Sequence, residues 1–395
     1  MTKRRLIFLA IVTVFTLIAA ACGDDDTSAG DSGGDDAADS GDDADDAGGD
    51  DAASQPGEGV SVTMARADWS TGYFQAYVYQ ALLTELGYDV SDPAELELGP
   101  SLAYLAMAEG DFDFWANSWY PGHLSWHDPE LPDGTQVGDH ITVVGSELLA
   151  GGLQGFLATK SFADEFGLKT MDDLNNNPDA LAAFDAADPV PGNGIADMYG
   201  CQESWTCDNI ILNQIAFSGW DNIQEVIAGY DAMVAEAIDK ANSDVPMVIY
   251  TWTPSAFITN LIPGDNVVWL GVEEVLDDSN PTGQDGGESH DQRPGTSHAI
   301  SEENCPMAAD GNGCVLGWIA ADIQVTANND FLAANPAAAE LLEQVILSVI
   351  DVSLANVAQD GGADTSAAIQ GLAADWITTN RGLVDGWLDA ARAAA

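Results

Sequence analysis

Between Gly23 and Gly59 the chain carries thirteen Asp, Glu58 and no basic residue, and Ala, Gly and Ser fill most of the rest. A stretch with so little to bury cannot offset its ordering entropy, so it is expected to stay disordered. Compact structure is therefore confined to residues 60–395, a length that suits two domains with cores of their own.

Upstream, Lys3, Arg4 and Arg5 precede an apolar run from Leu6 to Ala21 that ends in Ala19-Ala20-Ala21-Cys22. The run is shorter than the roughly 20 residues a spanning helix needs, and small residues before the cut suit a signal peptidase. Residues 1–21 are read as a lipoprotein signal peptide and Cys22 as the lipidated residue. Residues 22–59 then form a self-repelling tether. The expected location is extracytoplasmic, lipid-anchored to the cell membrane at the surface or in a periplasm.

Removing the three basic residues of the start and the fourteen acidic ones of the tract from the formal −55 leaves −44 over residues 60–395. Only Arg66, Lys160, Lys169, Lys240, Arg293, Arg381 and Arg392 oppose it. This excludes a general nucleic-acid binder, whose affinity rests on basic residues neutralising phosphates. Such self-repulsion suits a saline setting, where salt screens it.

With Cys22 assigned to lipid, four cysteines remain. In an exported chain an even set at short spacings favours disulfides. Sequence order suggests Cys201–Cys207 and Cys305–Cys314, although four cysteines allow three pairings. The spacings of six and nine contain no CxxC and no histidine, so zinc is disfavoured.

Hydrophobic periodicity alternates between strand and helix. Residues 60–65 and the runs Ile141–Val144, Leu153–Ala158, Val245–Tyr250 and Asn266–Val272 read as strands. Phe74 to Leu86, Asn222–Asn242, Pro336–Asn356 and Ala367–Asn380 read as helices. This order predicts an α/β fold with a largely parallel sheet in each domain. Residues 274–315 read as a polar surface insertion pinned by Cys305–Cys314.

Three tryptophans sit in rigid contexts: Trp119 in Asn117-Ser118-Trp119-Tyr120-Pro121-Gly122-His123, Trp205 inside the Cys201–Cys207 spacing, and Trp252 in Tyr250-Thr251-Trp252-Thr253-Pro254. Indole faces can cage a cation that has no hydrogen to donate, as in a quaternary ammonium group. Trp115, Trp126 and Tyr120 are read as packing residues. His123 and His127 have the spacing of a helical metal pair, but no HExxH pattern surrounds them, and no nucleophile elbow, phosphate loop or dinucleotide fingerprint occurs.

These stretches, with Leu86-Gly87-Tyr88, Gln154-Gly155-Phe156, Asp265 to Leu270, Ala334 to Ala339 and Asp385-Gly386-Trp387 in the same order, make residues 60–395 resemble the glycine betaine/proline betaine substrate-binding proteins of bacterial ABC transporters. The resemblance implies a two-lobed periplasmic-binding-protein fold of type II, with ligand in the cleft between lobes. It suggests lobe one at 60–157 plus 316–395 and lobe two at 158–315. It gives the aromatic box to Trp119, Trp205 and Trp252, and a ligand carboxylate to His123 and the backbone N–H groups of Thr206 and Cys207. Thr206 replaces a family glycine, a change that spares the backbone donor.

The expected function is capture of a betaine-type solute for an ABC permease driven by a separate ATPase. No cofactor, metal or nucleic acid is implied, and a monomer is expected. Choline would leave the anion donors unpaired, at a cost of about 1–3 kcal/mol, so a betaine is favoured. The competing readings are an extracellular metal-dependent hydrolase and a solute sensor on the same fold.

Overall fold

In the computed structural model the described residues are 55–272, 300–311 and 313–395. The signal segment, Cys22, nearly all of the acidic tether and most of the 274–315 insertion lie outside them.

Nine strands form one mixed sheet in the order Glu97–Leu98, Met64–Ala67, Phe114–Tyr120, Ala321–Asn328, Ile141–Thr159, Val248–Thr253, Ala196–Tyr199, Ile223–Val226, with Val267–Leu270 also on Ile141–Thr159. The nineteen-residue strand Ile141–Thr159 is shared by two strand groups. Its first part pairs with Ala321–Asn328, from Ile141 opposite Asn328 to Gly152 opposite Ala321. Its last part pairs with Val248–Thr253 and Val267–Leu270, starting at Leu153 opposite Thr253. The partner therefore changes between Gly152 and Leu153.

The sequence pattern breaks this strand in two because Gly145, Gly151 and Gly152 interrupt its apolar alternation. Gly145 has φ +62°, and a Cβ there would run into the Leu342 carbonyl oxygen, so the bend requires glycine. The expectation of largely parallel sheets is corrected. Met64–Ala67 is parallel to both of its neighbours, and Ala196–Tyr199 is likewise parallel to its own. Every pairing of Ile141–Thr159 and of Ala321–Asn328 is antiparallel.

Two helix expectations also change. Asn222–Asn242 resolves into the strand Ile223–Val226 and the helix Tyr230–Asn242, with Gly229 as the helix N-cap. Pro336–Asn356 resolves into Pro336–Gln344 and Val349–Asp360, bent by 93°. Ser348 caps the second of these by accepting the Asp351 N–H. Strand Phe114–Tyr120 is buried throughout and lies between two neighbours. Its register against Ala321–Asn328 shifts between Trp115 and Ser118, which interrupts the alternation of side chains there.

Candidate functional site

All six residues singled out from sequence line one cleft: Trp119, His123, Trp205, Thr206, Cys207 and Trp252. Trp69, Pro100, Gly122, Gln154, Ile210 and Tyr250 complete it. Its free volume is about 50 Å³, space for roughly four waters or a small solute displacing them.

Four elements carry the indoles. Trp119 lies on strand Phe114–Tyr120, and Trp69 follows the neighbouring strand Met64–Ala67. Trp252 lies on strand Val248–Thr253, and Trp205 is the N-cap residue of helix Thr206–Phe217. Trp69 meets Trp205 at 5.5 Å and 74°, and Trp205 meets Trp252 at 5.5 Å and 83°. Tyr230 backs Trp252 at 4.7 Å.

Every indole N–H of this set has an acceptor. Trp69 and Trp119 both donate to Asn117 Oδ1, at 2.9 and 2.8 Å. Trp205 donates to Asp68 Oδ1 at 2.8 Å, and Trp252 to Thr71 Oγ1 at 3.1 Å. With the N–H groups committed, the rings can offer the cavity only apolar, electron-rich surface. Such surface attracts a cation and costs little to dehydrate.

A second part of the cleft is polar. Thr206 and Cys207 are the first two residues of their helix, so their N–H groups lack intrahelical acceptors, and no side chain caps them. Open N–H groups and the helix dipole together favour an anion. The Cys201–Cys207 disulfide ties this first turn to the end of strand Ala196–Tyr199. The Cys305–Cys314 disulfide also forms, away from the cleft lining.

His123 is settled by its partners. The Trp119 backbone N–H donates to His123 Nδ1 at 3.1 Å. A backbone N–H cannot accept, so Nδ1 is the unprotonated nitrogen and Nε2 carries the hydrogen. Burial, helped by nearby His127, pushes the imidazole pKa down to about 3. The ring is neutral at physiological pH and keeps one N–H donor. Tyr104 Oη lies 3.1 Å from Nδ1, and Trp115 stacks on the ring at 5.8 Å.

Behind the disulfide turn, Glu225 accepts the Cys201 N–H at 2.7 Å. Burial raises its carboxyl to about 8, and neighbouring Asp208 is also raised, chiefly by burial. At neutral pH Glu225 is mostly protonated and does not oppose an anion at the turn.

The packing residues fall largely where expected. Trp115 is fully buried. Tyr120 Oη reaches His127 and Thr326 and does not line the cleft. Trp126 does more than pack, because its indole N–H donates to Thr206 Oγ1 at 2.8 Å. Sequence reasoning missed Trp69 and Tyr250. The available signal for Trp69 was its place just past a strand's carboxyl end, where open α/β sheets border their clefts. Among the described residues no group of three or more His, Cys, Asp or Glu could hold a metal ion.

The family described as the substrate binding domain of ABC-type glycine betaine transport systems matches residues 60–379. The chain belongs to this family. Members are solute receptors, and this chain is a receptor of that kind, not an enzyme. It is 29% identical over 341 residues to the glycine betaine-binding periplasmic protein OusX of Dickeya dadantii, covering 86% of this chain and 92% of the relative. It is 28% identical over 344 residues to the glycine betaine/proline betaine-binding periplasmic protein of Escherichia coli, covering 87% and 93%. The fold is that of lactococcal OpuAC, solved closed with glycine betaine, at a TM-score of 0.55, 15% identity and coverage of 83% and 99%. It is also that of a choline-binding protein of an ABC transporter solved with choline, at 0.58, 16% and coverage of 84% and 96%. The architecture is thus the two-lobed periplasmic-binding-protein fold.

Proposed function

We propose that this receptor captures glycine betaine or a close quaternary ammonium relative and delivers it to an ABC permease for uptake. The observation that carries this reading is a set of indoles whose N–H groups are all tied off, in a cleft that also holds the open N–H groups of a helix start. Trp119, Trp205 and Trp252, with Trp69, are the walls for the trimethylammonium. Each contact contributes roughly 0.5–2 kcal/mol, so together they approach the scale of a micromolar affinity, about −8 kcal/mol. The Thr206 and Cys207 N–H groups and His123 Nε2–H receive the carboxylate.

Lobe one is read as 60–157 plus 316–395 and lobe two as 158–315. The change of partner between Gly152 and Leu153 and the return at Ala321 support crossings near those limits. Lipidation at Cys22, the tether 22–59 and a monomeric state belong to the same reading, with the signal pattern and the acidic composition in support.

Calorimetric titration with glycine betaine, proline betaine and choline tests the function. Saturable betaine binding with weaker choline binding is expected, and absence of binding by all three to folded, oxidised protein would refute the ligand class. A pH series tests the anion end. Glu225 is neutral below about pH 8 and ionises above it, facing Asp208, while His123 stays neutral across that window. Glycine betaine affinity should therefore fall about fivefold between pH 7 and 9, as a charge appears beside the carboxylate site. Glu225→Gln should flatten the profile; a variant that keeps the fall would assign it elsewhere.

A further inference from the structure

Asn117 holds Trp69 and Trp119 from within their own strand group, whereas Trp205 and Trp252 are held from the opposite one. Trp205 and Trp252 belong to the group built on the last part of Ile141–Thr159. Their N–H acceptors, Asp68 Oδ1 and Thr71 Oγ1, lie on the segment leaving strand Met64–Ala67 in the other group. Trp126 reaches back the other way to Thr206 Oγ1. Three indole N–H bonds, between residues 137, 181 and 80 positions apart, therefore cross the cleft.

We propose that Asp68 is the positioning residue for the cation wall: its carboxylate holds the Trp205 indole across the cleft, so the wall is complete only when the two strand groups are closed. This rests on the ligand reading above and deepens it. Of the three cross-cleft acceptors only Asp68 is a carboxylate, and an N–H bond to an ionised acceptor is about twice as strong as a neutral one. A carboxylate accepting the N–H also pushes electron density into the ring, which makes its face a better cation partner. Asp68 is close-packed as well, since a Cβ on Gly99 would come within 3.0 Å of its Oδ2. Burial raises the Asp68 carboxyl, the Trp205 bond lowers it, and the charge of Glu97 raises it further.

A bond present only in the closed form acts on the closed population, and apparent affinity scales with that population. Its loss should therefore accelerate release and leave capture unchanged. Stopped-flow binding of glycine betaine to wild type, Asp68→Asn and Asp68→Ala tests this. Asp68→Asn keeps an oxygen acceptor without the charge; Asp68→Ala removes both. We expect affinity to fall about fivefold in Asp68→Asn and more than tenfold in Asp68→Ala, in both through a faster off-rate with the on-rate within twofold. A residue that only supports the fold would show no such split, and melting curves of the Asn variant check that the fold persists. Asp68→Ala affinity within twofold of wild type, or a loss confined to the on-rate, would overturn the proposal. Small-angle scattering of the ligand-free proteins provides an arm independent of ligand. Asp68→Ala should shift toward the open, larger form, and an unchanged profile overturns the latch even if the ligand is another solute. Failure of wild type to bind any quaternary ammonium would count against the ligand reading instead.

Discussion

Trp205→Ala should weaken glycine betaine binding by about 100-fold, the largest loss expected from any single substitution in the cleft. The change removes one wall of the proposed cation site, worth roughly 0.5–2 kcal/mol. It also removes the edge contacts to Trp69 and Trp252 and the tilted contact to Tyr230. Aromatic pairs add about 0.5–1.5 kcal/mol beyond area burial. Finally it deletes the bond to Asp68, which leaves that carboxylate without its indole donor. With each effect at the low end of its range the sum is about 3 kcal/mol, or about two powers of ten in affinity. Trp205→Phe keeps a ring without the N–H and should fall between the two. Titration calorimetry reads all three proteins. An alanine variant within threefold of wild type would take Trp205 out of the site.

Glu147→Gln should stabilise the protein, and increasingly so as pH rises. Glu147 lies on the long shared strand with no exposed surface, and neither side-chain oxygen has a hydrogen-bond partner within normal distance. Gln75 and Tyr79, on the helix Tyr73–Glu85, are its polar neighbours. Burial raises its carboxyl well above the usual range, against smaller opposing effects of Tyr79 and Gln75. The folded state therefore holds a proton that the unfolded state gives up near 4.5. Stability from this group is complete below the unfolded value and is lost as pH rises toward the folded one. Each pH unit in that window costs about 1.4 kcal/mol. Glutamine is neutral in both states and removes the slope. Thermal unfolding of both proteins from pH 5.5 to 8.5 should show curves that diverge with pH, with betaine affinity unchanged because Glu147 is not in the cleft lining. Parallel curves would mean that Glu147 titrates normally.

Local chemistry made much of the site legible. Trp119 and His123 are four residues apart on one strand and the turn after it, and Trp205, Thr206 and Cys207 are consecutive at a helix start closed by a short disulfide. Groupings this short survive in any tertiary arrangement. Trp69 has no such context. It reaches the cleft because Met64–Ala67 and Phe114–Tyr120 are sheet neighbours and Asn117 accepts both Trp69 and Trp119, a pairing across 48 residues. The helix spans were misread where one turn residue changes the outcome. Gly229 starts a helix after a strand, and Ser348 restarts one after a sharp bend. Apolar periodicity averages across such points.

The sequence by itself determined the acidic character, the tryptophans of the cleft, the helix-start N–H groups and the α/β alternation, since each depends on residue type and near neighbours. Only the tertiary structure decided that His123 is neutral with its hydrogen on Nε2, because burial and the Trp119 N–H act on it together. Only it decided that the Trp205 and Trp252 N–H groups bond across the cleft to Asp68 and Thr71. Hydrogen bonds are short-ranged and directional, so partners more than a hundred residues apart cannot be chosen until the sheet order has brought them together.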